Sequence, residues 1–183
     1  MHWFYSNELK ARMRHLLGDA KGLDLLDVPC GSGDLRGFVG ECNYVGVDID
    51  HPRIAHCSSR LPGLFAVGDA TSLPFPAESF DRILVTGFFH HVDDAAAALA
   101  IRELARVLRP AGSVVVLDAI WPRRWYNIPG FVARAMDEGR FVRWAPAYDE
   151  IFGSAFEVSH REYPSVHTLE CVLALLEKPR HTF

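Results

Sequence analysis

Leu25-Leu26-Asp27-Val28-Pro29-Cys30-Gly31-Ser32-Gly33-Asp34 is the stretch on which the reading of this chain turns. An apolar run ends in an acid and then in a small, glycine-rich turn. Gly31 and Gly33 carry no Cβ and tolerate positive φ, so their backbone can approach a bound molecule closely. Between a buried strand and a helix, such a turn forms the floor of a nucleotide-type pocket. Glycine turns also arise for purely local reasons, so the residues downstream must decide the ligand.

Outward from this turn, strand and helix patterns alternate, as in an α/β domain with a mainly parallel sheet. Strands are expected over 23–28, 44–48, 64–67, 80–86 and 113–117, the last a β-branched run suited to a buried centre. Helical spacing runs over 3–18, a short helix is expected over 34–39, and further helices over 52–59 and 93–108. Asp93 or Asp94 can cap the last of these, with Ala97, Ile101, Leu104 and Leu108 on its buried face. Two alternating stretches, 156–163 and 168–176, read as a closing antiparallel pair. With no repeat or interdomain linker, the chain reads as one domain with an insertion over about 119–148.

Composition narrows the classes. The 183 residues suit one domain with a substantial core. Nineteen basic against twenty-three acidic side chains leave a net charge of −4, and no basic run supplies a phosphate-binding surface, so nucleic acid is not the expected partner. Cys30, Cys42, Cys57 and Cys171 show neither a C-x-x-C pair nor zinc-ligand spacing and read as reduced thiols of a cytoplasmic protein. The N-terminal residues develop no secretion signal, and no apolar stretch approaches bilayer-spanning length.

Three acids follow three strands in order: Asp27, Asp48 and Asp69. In an open parallel sheet the ligand lies beyond the carboxyl ends of the strands, near the point where strand order reverses, so all three would face one crevice. A carboxylate after the second strand can accept from both hydroxyls of a ribose. Each acid alone could equally form a turn or a helix cap; their ordered recurrence favours the ligand reading.

These residues, with LLDVPCGSG (25–33), YVGVDID (44–50), GDATSLPFPAESFDRILVTGFFHHV (68–92) and LARVLRPAGSVVVLDA (104–119), resemble the class I S-adenosylmethionine-dependent methyltransferases. The likeness is nearest to the bacterial small-molecule group that includes quinone-biosynthesis enzymes. It implies a Rossmann-like seven-stranded sheet, parallel except for the last strand, with helices on both faces. It also implies that Asp27, Pro29, Cys30, Gly31 and Gly33 surround the methionine part of S-adenosylmethionine. Asp48, with Ile49 beside it, would hold the ribose, Asp69 and Ala70 the adenine, and Thr86 and Gly87 would lie beneath the sulfonium. The product would be S-adenosylhomocysteine, and no metal is implied. Pro29 departs from the family's usual glycine, which removes one backbone N–H and fixes φ; altered local geometry is expected there, not loss of binding. A dinucleotide-binding oxidoreductase is disfavoured because Arg36 stands where G-x-G-x-x-G needs its third glycine.

His90 and His91 follow the fourth strand, and Asp118 ends the fifth. A histidine oriented by a carboxylate suits proton removal from an acceptor at neutral pH, and His91 is the favoured base. The alternative is that one histidine caps the long helix while the other packs in the core. Within the insertion, Ile128, Phe131, Val132, Ala135 and Met136 would form an apolar helix face over the pocket. Arg123, Arg124, Arg134, Arg140 and Arg143 outnumber Asp137 and Glu138. An apolar or amphipathic small-molecule acceptor, with or without an anionic group, fits this segment; so does a packed helix with a solvated arginine face. A lipid-like acceptor would also bring the segment against a membrane surface. A non-catalytic S-adenosylmethionine-binding protein and a macromolecular methyltransferase acting on RNA or protein are the rival readings.

Overall fold

The computed structural model describes residues 6–136 and 139–179. In chain order the elements are α1 (Asn7–Leu17), β1 (Asp24–Asp27), β2 (Asn43–Asp48), α2 (His51–Arg60), β3 (Leu64–Val67) and β4 (Phe80–Thr86). A single 3-10 turn (Phe89–His91) leads to α3 (Asp94–Val107), β5 (Leu108–Ala119), α4 (Ile128–Ala135), α5 (Ala147–Gly153), β6 (Glu157–Glu162), β7 (Ser165–Val166) and β8 (Leu169–Glu177).

Strand order is β3-β2-β1-β4-β5-β8-β6, with the two-residue β7 paired to β8. Strands β1 to β5 pair in parallel, while β8 runs antiparallel to both β5 and β6. The seven-stranded expectation therefore holds, with β7 as a minor addition on the last strand. Chain order reverses direction at β1, which lies between β2 and β4 and places the glycine turn at the switch point.

Apolar side chains pack on both faces of the sheet. One core joins Leu26, Ile83, Val114 and Val116 to Ala97, Ile101 and Leu104 of α3 and to Tyr148 and Phe152 of α5. The other joins Leu25, Leu84, Val115 and Leu117 to Leu9, Met13 and Leu17 of α1. α3 starts where the Asp93 carboxylate accepts from the Ala96 amide at 2.8 Å, a side-chain cap on an orphan donor. It buries the i, i+3, i+4 stripe Ala97, Ala100, Ile101 and Leu104.

Two local readings are corrected. The expected helix over 34–39 is a run of turns, because Gly31, Gly33, Gly37 and Gly40 leave too short a helix-forming stretch to nucleate. Leu35, Phe38 and Val39 are buried all the same. Strand five begins at Leu108, directly after α3, where Leu108 pairs with Phe80 and Arg109 binds Asp81 and Asp24 at 2.6 and 2.8 Å. The first helix is described from Asn7; Trp3, Phe4 and Tyr5 lie outside the described residues.

Candidate functional site

The glycine turn leaves β1 through a cis Val28–Pro29 peptide. The Val28 and Cys30 amides on either side of Pro29 donate to Leu84 O and Val47 O at 2.9 and 2.8 Å, so the turn is anchored to both neighbouring strands. Gly31 and Gly33 adopt φ of 54° and 74°, conformations that disfavour L side chains. At Gly33 a Cβ would also lie 2.2 Å from Leu61 Cδ1. The backbone is thereby held as a close-fitting cradle.

Asp27 ends β1 completely buried, its Oδ2 accepting from the Tyr44 hydroxyl at 2.6 Å. Among the described residues its Oδ1 is buried with no hydrogen-bond partner. Burial, with Asp48 nearby adding to it and the Tyr44 bond opposing it, pushes the carboxyl up to about 7. An orphaned oxygen in a low-dielectric site is costly unless a donor completes it. The site thus fits a group that brings a positively charged or N–H donor beside the glycine turn.

Asp48 ends β2, buried, and accepts from the Gly31 amide at 2.8 Å and the Asp50 amide at 2.9 Å. Its carboxylate therefore ties the second strand to the glycine turn. Next to it Ile49 is 71% exposed, an apolar side chain standing open at the strand end. Asp69 is exposed, with Oδ1 accepting from the Thr71 amide at 2.8 Å, and Ala70 beside it is buried. The loop that carries them is held by the Glu103–Arg106 pair: Glu103 accepts from the Leu73 amide, and Arg106 donates to Leu73 O and Phe75 O. Strand register places Asp27, Asp48 and Thr86 along one edge of the sheet, and Asp69 follows β3 by two residues on leaving that edge.

Thr86 is buried at the end of β4, and the Gly87 amide donates to Leu117 O at 2.9 Å. The 3-10 turn after it is built around Asp118. This carboxylate, its side chain fully buried, accepts the amides of Phe88, Phe89 and His90 at 3.0, 2.5 and 3.3 Å and that of Ala119 at 2.6 Å. It also meets His90 Nδ1 at 2.6 Å. A carboxylate only accepts, so Nδ1 carries the proton and, in the neutral ring, Nε2 presents its lone pair.

His90, and not the favoured His91, is thus the carboxylate-oriented ring. His91 is exposed and lies against it with ring centroids 4.0 Å apart. The Nε2 edge of His90 is framed by two glycines: a Cβ on Gly87 would lie 3.6 Å from Cε1, and one on Gly139 only 2.3 Å from Cδ2.

The insertion is clamped to this turn. The Phe141 amide donates to His90 O at 3.0 Å. Arg143 donates to Phe89 O, to Val92 O at 2.8 Å and to the Asp94 carboxylate at 2.8 and 3.0 Å. Spacing alone grouped Arg143 with the surplus of positive charge and missed this role; only the fold brings residue 143 beside residue 89. Arg134 departs from that reading too, being 2% exposed and donating to Ile120 O and Glu170 O. The expected apolar face over the pocket is corrected as well. Ile128, Val132 and Met136 point to solvent, whereas Phe131 stacks near Trp121 and Trp144 at centroid distances of 6.2 and 6.0 Å.

Two surface depressions lie elsewhere. One of about 630 Å³ is at the opposite edge of the sheet, beside Asp24, Asn43, Tyr44 and Phe80; the other, of about 910 Å³, lies between α1 and the 34–38 turns.

A family model described as a methyltransferase domain matches residues 26–116, from β1 into β5. A demethylmenaquinone methyltransferase of Staphylococcus aureus (strain MRSA252) is 32% identical over 163 residues, 84% of this chain and 63% of the relative. A fatty-acid O-methyltransferase of Mycolicibacterium smegmatis is 36% identical over 118 residues, 61% of this chain and 41% of its own. A tRNA (carboxymethyluridine(34)-5-O)-methyltransferase of Arabidopsis thaliana is 31% identical over 126 residues, 68% of this chain and 28% of the relative. The chain spans less than two thirds of the length of each of these three. A solved geranyl diphosphate methyltransferase in complex with SAM superposes with TM-score 0.76 at 14% identity, covering 93% of this chain and 85% of that one. The matched segment carries the glycine turn, all three strand-end acids and the histidine turn, in a sheet of the same fold: this chain belongs to the class I S-adenosylmethionine-dependent methyltransferases.

Proposed function

We propose that this domain transfers a methyl group from S-adenosylmethionine to a small, apolar or amphipathic acceptor, releasing S-adenosylhomocysteine. The observation that carries the reading is the His90–Asp118 pair, set between the Gly87 strand end and the aromatic insertion.

S-adenosylmethionine supplies an electrophilic methyl on a sulfonium. Asp27 Oδ1, the unpartnered oxygen beside the glycine turn, would receive the amino-acid end of that molecule. Asp48 would take the ribose hydroxyls, since a carboxylate that already accepts two amides keeps further lone pairs. Ile49 would cover one face of the adenine, with Asp69 and Ala70 at its edge, and Thr86 and Gly87 would form the floor under the sulfur.

Methyl transfer is an in-line displacement, so most of the rate comes from holding nucleophile and methyl group in line. His90 Nε2 would accept the acceptor's proton as its nucleophilic atom attacks, while Asp118 fixes the ring and stabilises the imidazolium that forms. Arg143 and Phe141 keep that turn in place. Trp121, Phe131 and Trp144 offer an apolar wall suited to an acceptor of low polarity. The menaquinone and fatty-acid relatives support an acceptor of this kind.

Calorimetric titration with S-adenosylmethionine, followed by incubation of methyl-labelled cofactor with cell extracts, tests the proposal. Binding that is lost in Asp48→Ala, and label entering a solvent-extractable small-molecule fraction, are expected. Absence of binding heat, or label confined to RNA or protein, overturns it.

A further inference from the structure

Helix α4 is inverted with respect to the usual amphipathic pattern. Its buried side includes Gly130 and the guanidinium of Arg134, while Ile128 and Val132 on the helix, and Met136 just beyond it, are 65%, 55% and 80% exposed. These three residues follow an i, i+4, i+8 line, and Trp125, 85% exposed, stands one turn before it with Tyr126 at its side. The orientation is enforced. Arg134 donates to the carbonyls of Ile120 and Glu170, and Asn127, which caps the helix, donates to Thr168 O at 2.9 Å. To turn the apolar line inward, α4 would have to break these bonds and leave Arg134 without them, which is strongly unfavourable.

We propose that the 123–136 face of the insertion is a docking surface for anionic lipid, seating the domain on a membrane from outside. The occupant follows from shape and charge. The face is a convex helix ridge, not a groove that would accept a peptide. It is led by a Trp-Tyr pair, the residue types that favour the headgroup level of a bilayer. Exposed Arg124 lies over the Tyr126 ring, 6.0 Å from its centroid, and exposed Arg123 precedes it with its guanidinium over Tyr163, in a chain whose net charge is −4. An apolar ridge with arginine flanks is how an interfacial helix holds to an acidic leaflet. Among the described residues no helix is long and apolar enough to cross a membrane. The use of this docking, to collect an acceptor dissolved in the lipid, rests on the proposed function; the docking itself does not.

Co-sedimentation of the full chain with vesicles tests it. One set is pure phosphatidylcholine and the other equal parts phosphatidylcholine and phosphatidylglycerol. Binding to the mixed vesicles is expected, falling about tenfold or more in the double variant Ile128→Ser, Met136→Ser, since each loses most of its apolar insertion. Arg124→Glu should weaken binding to the mixed vesicles and leave the phosphatidylcholine background unchanged. All variants alter exposed side chains, so their thermal unfolding and S-adenosylmethionine affinity should match the parent, which separates failure of docking from failure of the methyltransferase reading. No sedimentation with mixed vesicles, or equal sedimentation of the double variant, overturns the proposal. Self-association through this ridge, seen as a dimer by sedimentation velocity in the absence of vesicles and abolished by the double variant, overturns it too.

Discussion

Gly139 lies against the ring that is proposed to take the proton, and an alanine there would press on it directly. The added Cβ would sit 2.3 Å from His90 Cδ2 and 2.9 Å from His90 O. Carbon atoms in contact settle at about 3.5–4.0 Å, so ring and loop must separate by more than about 1 Å. The Gly139 backbone does not need positive φ, and alanine therefore introduces crowding without local strain. Overpacking of this kind costs about 1–3 kcal/mol of stability, which a folded domain tolerates. Displacement of a reacting group by about 1 Å costs roughly 100-fold in rate. Gly139→Ala should therefore keep S-adenosylmethionine affinity within a few-fold, by calorimetry, while methyl incorporation falls by about two orders of magnitude. Nitrogen-15 histidine spectra give a second reading without any acceptor: His90 in the parent should show a protonated Nδ1, and its resonances should shift in the variant. A folded variant with unchanged incorporation and unchanged His90 resonances would refute the reasoning.

Other perturbations probe separate parts of the site. With the Asp27 carboxyl pushed up to about 7 by burial, the folded state binds a proton between pH 4 and 7 that the unfolded chain has released. Stability from this group is thus greatest at low pH and falls as pH rises through that window, by up to about 4 kcal/mol; urea titrations should show Asp27→Asn with a flatter profile than the parent. A cation placed beside Asp27 favours the ionised form, so S-adenosylmethionine should bind more tightly as pH rises toward 7, with proton release seen as a buffer-dependent heat. Asp118→Asn presents an amide N–H₂ to a nest of N–H donors and should lower stability by about 1–3 kcal/mol for each donor left unsatisfied, read from the thermal midpoint. Arg143→Met should cost about 1–3 kcal/mol for each of the Phe89 and Val92 carbonyls left without its donor, while the exposed Asp94 carboxylate is taken up by water; it should impair turnover more than cofactor affinity.

The parallel sheet was legible because β1 to β4 are short apolar runs closed by an acid or a glycine at or just after their last residue: Asp27, Asp48, Gly68 and Gly87. The places of Asp27 and Asp48 needed no tertiary information, since each is the last residue of a short apolar strand, and Asp69 follows β3 by two residues in the same pattern. Which of the two adjacent histidines meets Asp118 was not legible: neighbouring residues in a 3-10 turn differ in direction, and the turn is set by Asp118 accepting the amides of Phe88, Phe89 and His90. The roles of Arg134 and Arg143 were hidden for a related reason. Apart from the Asp94 carboxylate, their acceptors named above are backbone carbonyls, which leave no mark in the sequence, and the same residues in a segment of surplus charge read as solvated. The inverted face of α4 has the same origin, because the apolar period is present while the buried arginine reverses which side faces the domain.

The place of β8 bears on how the domain is assembled. This strand is late in the chain, yet it lies inside the sheet between β5 and β6. It also supplies the Glu170 carbonyl that anchors Arg134 and the Glu170 carboxylate that accepts from the Arg123 amide. During synthesis β1 to β5 can pair as they emerge, but the insertion lacks its support until residue 170 has left the ribosome. The parallel strands and the aromatic insertion are therefore completed in sequence, and an interrupted chain would leave the aromatic segment unanchored, an aggregation-prone intermediate of the kind chaperones shield.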